Sequence, residues 1–437
     1  MNRAIRRAAL GGSLLTVCAA ALLSAQGPVR PYKPLIAADH PAVAAIAPAG
    51  DAVARLAARL ERGEVTLARG AGGPGESGQG ALRAVLAALD VPVDSQLLVF
   101  SKTSVQAAHI SPARPRAIYF RDDVMVAHVP GTPGLEAIAF DAARGPAFYA
   151  LTAGAGGAPT FTASHTCLKC HHGPNTAGVP GVFVGSVVPG PGGAPLRDDT
   201  AIITDHRSPF AERWGGWFVT ARRGEPPSRA NAVAASPADR TALVRDVPRN
   251  LTALVGLVDA SAYLAPTSDI VALMTLEHQT QMQNLLTRVA WQARVAEATR
   301  PGAPLANAGL AADLADLVDY MTFVDEVRLP GAVEGVSTFA ATFAARGPTD
   351  AQGRSLREFD LRTRLFRYPV SYLIQSPAFD ALPDTVRTDI YRRVYARLTD
   401  PSGDSRPGGP SPADRRAAVA IIRETTRAVP PFWRVPD

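Results

Sequence analysis

Ala117-Ile118-Tyr119-Phe120, Val124-Met125-Val126-Ala127-His128-Val129, Leu135-Glu136-Ala137-Ile138-Ala139-Phe140 and Ala147-Phe148-Tyr149-Ala150-Leu151 follow one another as short apolar runs. Each is of strand length, and turn-rich gaps separate them. With the run at 96–100 before them, they predict an antiparallel sheet.

Two short helices are expected on the N-terminal side of that sheet. Asp51 can cap one that runs to Arg62, with Val53, Leu56 and Leu60 on one face. The second covers 80–90, after a Gly-rich loop at 70–80. Beyond the sheet, 182–188, 201–204 and 216–221 are further strand candidates. From Thr267 the pattern turns helical: Thr267 or Ser268 caps a long helix reaching about Val295, and 306–327, 337–345, 356–366, 384–398 and 411–429 continue it. The fold class is therefore α+β: small N-terminal helices, an antiparallel β region carrying a loop-borne site, and a C-terminal helical bundle. The expected divisions are a signal peptide (1–25), an N-terminal α/β region (26–155), a cofactor-binding region (156–262) and a helical region (263–437).

The site is expected at Cys167-Leu168-Lys169-Cys170-His171, between Gly154 and Gly181. Cys-x-x-Cys-His is the spacing at which two thiols take the two vinyl groups of one haem while the next His gives iron a nitrogen. A redox dithiol or half of a zinc site are the other readings. Zinc needs two more ligands at paired spacing, and the only other cysteine is Cys18. A thioredoxin-like pair should open a helix after a strand in a βαβ unit, whereas this stretch is loop-like. One covalent haem c is the reading adopted, with His171 as its first axial ligand.

The N-terminus agrees. Arg3, Arg6 and Arg7 precede a short apolar run from Ala8 to Leu23, as in a secretory signal cleaved near Ala25 or Gly27. The run is too short and too weakly flanked for a membrane span, and none is expected after cleavage. Export places the chain in the bacterial periplasm or otherwise outside the inner membrane, on the side where haem is attached. Removing three arginines takes the formal charge from +6 to +3, and lysine occurs only at 33, 102 and 169. No basic run with interleaved aromatics argues for nucleic acid. A periplasmic redox partner is expected, and the oligomeric state is left open.

The second axial position decides the chemistry, because an open iron admits small ligands and a closed one carries electrons. No Met lies between Met125 and Met274, so the usual downstream Met loop is absent. His278 shares a helix face with Met274 and Met282, and is one candidate ligand or distal-pocket residue. His206 is another, within Thr204-Asp205-His206-Arg207-Ser208-Pro209-Phe210. Arg207 and Arg213 can hold propionates in a fork, and Trp214 and Trp217 can stack on a porphyrin. Each of these also has a plain structural reading, as a core side chain or a charged turn.

These residues give the chain its resemblance to a family of large secreted single-haem proteins with a cytochrome c domain, mostly uncharacterised. It covers nearly all of the mature chain. It rests on Phe100-Ser101-Lys102-Thr103-Ser104, on Ser111 to Phe120, on the haem motif, on Thr204 to Pro209 with Glu212 to Trp217, on Ser268 to Met274 with Glu277 to Met282, and on Arg364 to Tyr372. The resemblance implies haem c, export and a redox role, with no defined substrate. The family pattern has a His-Gly step and then a second His before Gly-Asn, where this chain has Arg222-Arg223-Gly224 and Arg229-Ala230-Asn231. Three functions follow as expectations: an electron-transfer cytochrome; a haem oxidoreductase, peroxidase-like, with an open distal iron; or a structural or sensory haem protein.

Overall fold

Side-chain alternation along the strands divides the protein into two layers on one sheet. The computed structural model describes residues 33–67, 79–132, 134–153, 159–196, 201–236, 239–402, 409–427 and 429–434. The signal expected at 1–25, with Cys18, lies outside them. After a short turn α1 (Pro41–Ala44), helices α2 (Ala52–Glu61) and α3 (Gln79–Ala88) lead into β1 (Leu97–Val99), β2 (Arg116–Phe120), β3 (Val124–His128), β4 (Leu135–Asp141), β5 (Gly145–Ala153) and β6 (Pro159–Ala163). Asp51 caps α2 by accepting from Val53 and Ala54 N–H. The helical turn α4 (Leu168–His171) carries the motif; β7 (Val184–Ser186), β8 (Ile202–Thr204), β9 (Trp217–Phe218), β10 (Val233–Ser236) and β11 (Asp239–Val244) follow.

The main sheet has seven antiparallel strands in the order β6-β5-β4-β3-β2-β1-β9. Its register pairs Tyr119 with Val126 and Val126 with Ala137; one residue along, Met125 pairs with Ile138 and Ile138 with Phe148. Because side chains alternate, these rows lie on opposite faces. One face, with Leu98, Tyr119, Val126 and Ala137, packs on Val53, Leu56, Leu82 and Val85 of α2 and α3. The other, with Val99, Phe120, Met125 and Trp217, belongs to the core built around the long helix. Burial on both sides explains why β3 is buried at every residue, with no polar face.

That helix, α5 (Ile270–Thr299), is thirty residues long and buried at nearly every position to Ala293. After it come α6 (Ala308–Met321), α7 (Phe339–Ala345), α8 (Pro377–Asp380), α9 (Asp384–Thr399), α10 (Pro412–Thr425) and α11 (Pro431–Arg434). One core joins the sheet face, α5 and residues as far as Trp433, so it runs across the expected division at 262/263. Among the described residues no helix is long and apolar enough to cross a membrane.

Three local expectations change. The cap of α5 is Asp269, accepting from Val271 N–H at 2.8 Å and Ala272 N–H at 3.4 Å. Ser268 is already spent, since its hydroxyl donates to Phe218 O (2.7 Å) and accepts from Leu98 N–H (3.0 Å), stitching β9 to β1. Residues 356–366 are not helical. Asp360 turns them back by accepting from Arg362 and Thr363 N–H, and Phe359 stacks on Phe366 at 5.1 Å. Strand β6 and the β10–β11 hairpin were not expected.

Asp269 also accepts from Val336 N–H (2.7 Å), Ser337 N–H (2.8 Å) and Ser337 Oγ (3.0 Å) while only 1% exposed. Asp269→Ala thus removes a helix cap and strands two half-buried amides, those of Val336 and Ser337. Urea unfolding should show a loss of about 3 kcal/mol, against about 1 kcal/mol for Asn307→Ala at the half-buried cap of α6.

Candidate functional site

β6 is one edge strand of the sheet, and the chain leaves it through Ser164 into a helical turn over 165–171. Three residues apart on that turn, Cys167 and Cys170 lie on one side. Both thiols are free; Cys167 is half-buried and Cys170 exposed. His171 follows with its ring against Phe148 of β5 (5.0 Å between centroids) and Phe183 (5.5 Å).

The segment after the motif returns to lock that ring. Gly181 N–H donates to His171 O at 2.8 Å, and His171 Nδ1 lies 3.0 Å from Gly181 O. A proton on Nδ1 satisfies that carbonyl and leaves Nε2 as a lone pair, the arrangement that orients a ligating imidazole. Burial pushes the His171 pKa below its ordinary value, against the pull of the Gly181 carbonyl, which favours the neutral ligand form.

What holds the segment is α5. Asn284, 1% exposed, accepts from Val182 N–H (3.0 Å) and donates to Val182 O (2.8 Å). A Cβ on Gly181 would run into that Asn284 amide and Thr176, so the close approach requires glycine. One turn along, Arg288 donates to Ala177 O (3.3 Å) and to Pro34 O, with Asp313 as its counter-ion at 2.8 Å.

Between this strap and the sheet lies a cavity of about 600 Å³. Its sheet wall is Val99, Ile118, Met125, Ile138 and Phe148; Val182, Val184, Leu276 and Thr280 face them, and Cys167, Cys170 and His171 line the same space. The size is that of a small-molecule or cofactor site, mostly apolar with a few polar groups. Arg116 and Glu136 pair across this wall at 3.5 Å, and Arg116 Nε is buried with no partner. The Arg116 side chain as a whole is 19% exposed, so its guanidinium is a positive charge on the cavity wall.

Of the other expected site residues, Trp217 lines the cavity, with its indole N–H donating to Gly185 O at 2.8 Å. The rest are placed elsewhere. Trp214 is buried against Phe210 at 5.7 Å. Arg213 is buried and paired with Glu277 at 3.1 Å, and also donates to Ser208 O and His206 O. Arg207 pairs with Asp205 (3.0 Å) and Asp316 (3.4 Å), beside a smaller cleft that Lys33 and Asn175 also line.

His206 and His278 do not line the cavity either; they meet each other. Their Nδ1 atoms lie 2.9 Å apart, His278 Nε2 is 2.8 Å from Ser371 Oγ, and Tyr320 stacks on both rings. Helix geometry gives the reason. Leu276 and Thr280 of α5 face the cavity, and Met274, His278 and Met282 each stand two residues from one of them, about 200° round the helix. The face they share is therefore turned away.

Sequence reasoning passed over Met125, Arg116, Glu136, Gly181 and Asn284. Strand parity could have found the first three, since Met125 and Ile138 are register partners and Ile118, Ala127 and Glu136 form the next row of the same face. Nothing in the sequence pairs Asn284 with Val182. Among the described residues no three His, Cys, Asp or Glu side chains converge as a bare metal site. Comparison with models of known protein families, with curated proteins and with solved structures gives no match.

Two expected outcomes follow. Asn284→Ala should cost about 2–3 kcal/mol in urea unfolding by stranding both polar groups of Val182, and should speed hydrogen exchange at Gly181 and Val182 before it affects the sheet. The buried histidines make stability depend on acidity. Burial holds the His206 pKa well below its ordinary value and lowers that of His278 to about 3. Below about pH 6.5 the unfolded chain therefore takes up protons that the folded chain refuses. Stability should be flat in these groups above that pH and fall toward pH 3, by up to about 1.4 kcal/mol per pH unit for each ring. Urea midpoints from pH 7 to 5 should show this decline, and His278→Gln should make it shallower.

Proposed function

We propose that this chain is an exported c-type cytochrome that carries one covalent haem and takes part in electron transfer. The observation that carries the reading is that Cys167, Cys170 and His171 line a single cavity of about 600 Å³, walled on its other side by an apolar sheet face. Cys167 and Cys170 would hold the porphyrin by thioether bonds, both thiols being free for that purpose. His171 would ligate iron through Nε2, oriented by the Gly181 carbonyl on Nδ1. Haem supplies a one-electron iron couple when bound. Phe148, Ile138, Val182 and Val184 exclude water from that couple, which raises the effect of every nearby charge. Arg116 is the residue suited to a propionate, as a partly exposed cation on the cavity wall, and Lys169 also lines the cavity. The signal pattern at 1–25, with its positive Arg3, Arg6 and Arg7, and the resemblance to secreted single-haem proteins support export, and a periplasmic redox protein is the partner class implied.

The test is a potentiometric titration of the exported protein, followed optically and repeated on Cys167→Ala/Cys170→Ala. A haem couple gives one wave of about 59 mV per decade that the double variant loses. A wave of about 30 mV per decade without a haem spectrum is a dithiol–disulfide couple and contradicts the proposal.

A further inference from the structure

The cavity has two walls, and the motif can supply a ligand from only one of them. On the cytochrome reading, which this inference deepens, the nature of the second axial ligand decides whether iron is closed for electron transfer or open to small molecules. The described side chains lining the cavity include few that bind iron. His172 follows His171 on the motif wall and has its Nε2 on Ile36 O at 2.9 Å. Lys169 lies within the motif turn itself. Tyr149 donates its hydroxyl to Asp51 at 2.5 Å, and Glu136 is paired with Arg116 at 3.5 Å.

Met125 remains, on the sheet wall and away from the motif turn. It is the second residue of β3, 4% exposed, in the register row Met125–Ile138–Phe148. Phe148, at the end of that row, is the side chain on which the His171 ring rests at 5.0 Å. Two interstrand steps, about 10 Å, separate the Phe148 and Met125 backbones, so the row runs from the motif side across the cavity wall. Among its strand neighbours Val124, Val126 and Ala127, Met125 alone has an unbranched reach and a soft, polarisable donor. The geometry points to Met125 Sδ as the second axial ligand of the haem iron. The ligand then comes from a strand upstream of the motif. This accounts for the missing Met loop downstream, and it separates the site from the His206–His278 pair behind α5.

The experiment is EPR and far-red absorption of the ferric exported protein, wild type and Met125→Leu, with covalent haem counted independently as the alkaline pyridine haemochrome. Leucine conserves volume, so the sheet and haem attachment should persist. The wild type should be low-spin with a sulfur-to-iron charge-transfer band. Met125→Leu should retain one covalent haem, lose the band, turn high-spin and bind carbon monoxide rapidly, and Met125→His should return it to low spin. Covalent haem with high-spin iron in the wild type, or a band that survives in Met125→Leu, overturns the ligand assignment alone. No covalent haem in the wild type overturns the cytochrome reading and this assignment with it.

Discussion

A helix buried along most of its length cannot leave its polar side chains unpartnered, and α5 has many of them. Thr275, Glu277, His278, Gln279, Thr280, Gln281, Gln283, Asn284, Thr287 and Arg288 are all buried. Each polar group left without a partner there would cost roughly 1–3 kcal/mol. The solution is to bond outward to irregular backbone. Gln279 donates to Arg121 O at 2.8 Å and accepts from the Tyr372 hydroxyl at 2.8 Å; Asn284 takes both polar groups of Val182. Loops far apart in sequence are thereby fixed to one rigid axis. Those bonds, together with the apolar packing of Val179, Val182 and Val184, set where the motif segment lies relative to the sheet.

The consequence for the site is direct. The sheet presents one apolar face to α2 and α3, and its other face is covered only in part by α5 and the strap after the motif. Asn284 and Arg288 hold that strap at a fixed distance from β3 and β4, and the space between is the cavity that His171 enters from one side. Positioning residues and lining residues alternate along α5. Leu276 and Thr280 look into the cavity, while Glu277 and His278 tie the opposite side to Arg213, His206 and Ser371. The charged and aromatic segment 204–217 is thus largely committed to the core, with only Trp217 reaching the cavity.

Much of this was legible from local pattern. The five strand runs, the Asp51 cap and the helix capped by Ser411 could be read because each is decided by neighbours within a few residues. The motif's spacing could be read for the same reason, but the loop expected to carry it is a helical turn over 165–171 that follows β6. What escaped was decided by distant partners. Three consecutive candidates, Thr267, Ser268 and Asp269, could cap α5, and the choice turned on Ser268 being used between β1 and β9. The apolar spacing of Leu356, Phe359 and Phe366 imitates a helix, but Asp360 bends the chain into a turn instead. His206 and His278 looked like haem-side residues because they sit among arginines and tryptophans. Only the rotation of α5 shows which way His278 faces.

The central claim is that Cys167 and Cys170 are haem attachment sites, and the most direct measurement of it is the intact mass of the mature protein. The sample should come from a host competent for export and haem ligation and be analysed under denaturing conditions, with tryptic mapping of the peptide that contains the motif. The account predicts the polypeptide mass plus one haem, with the addition confined to the Cys167–His171 peptide and both thiols blocked to alkylation. A bare polypeptide mass with two alkylatable thiols would contradict it.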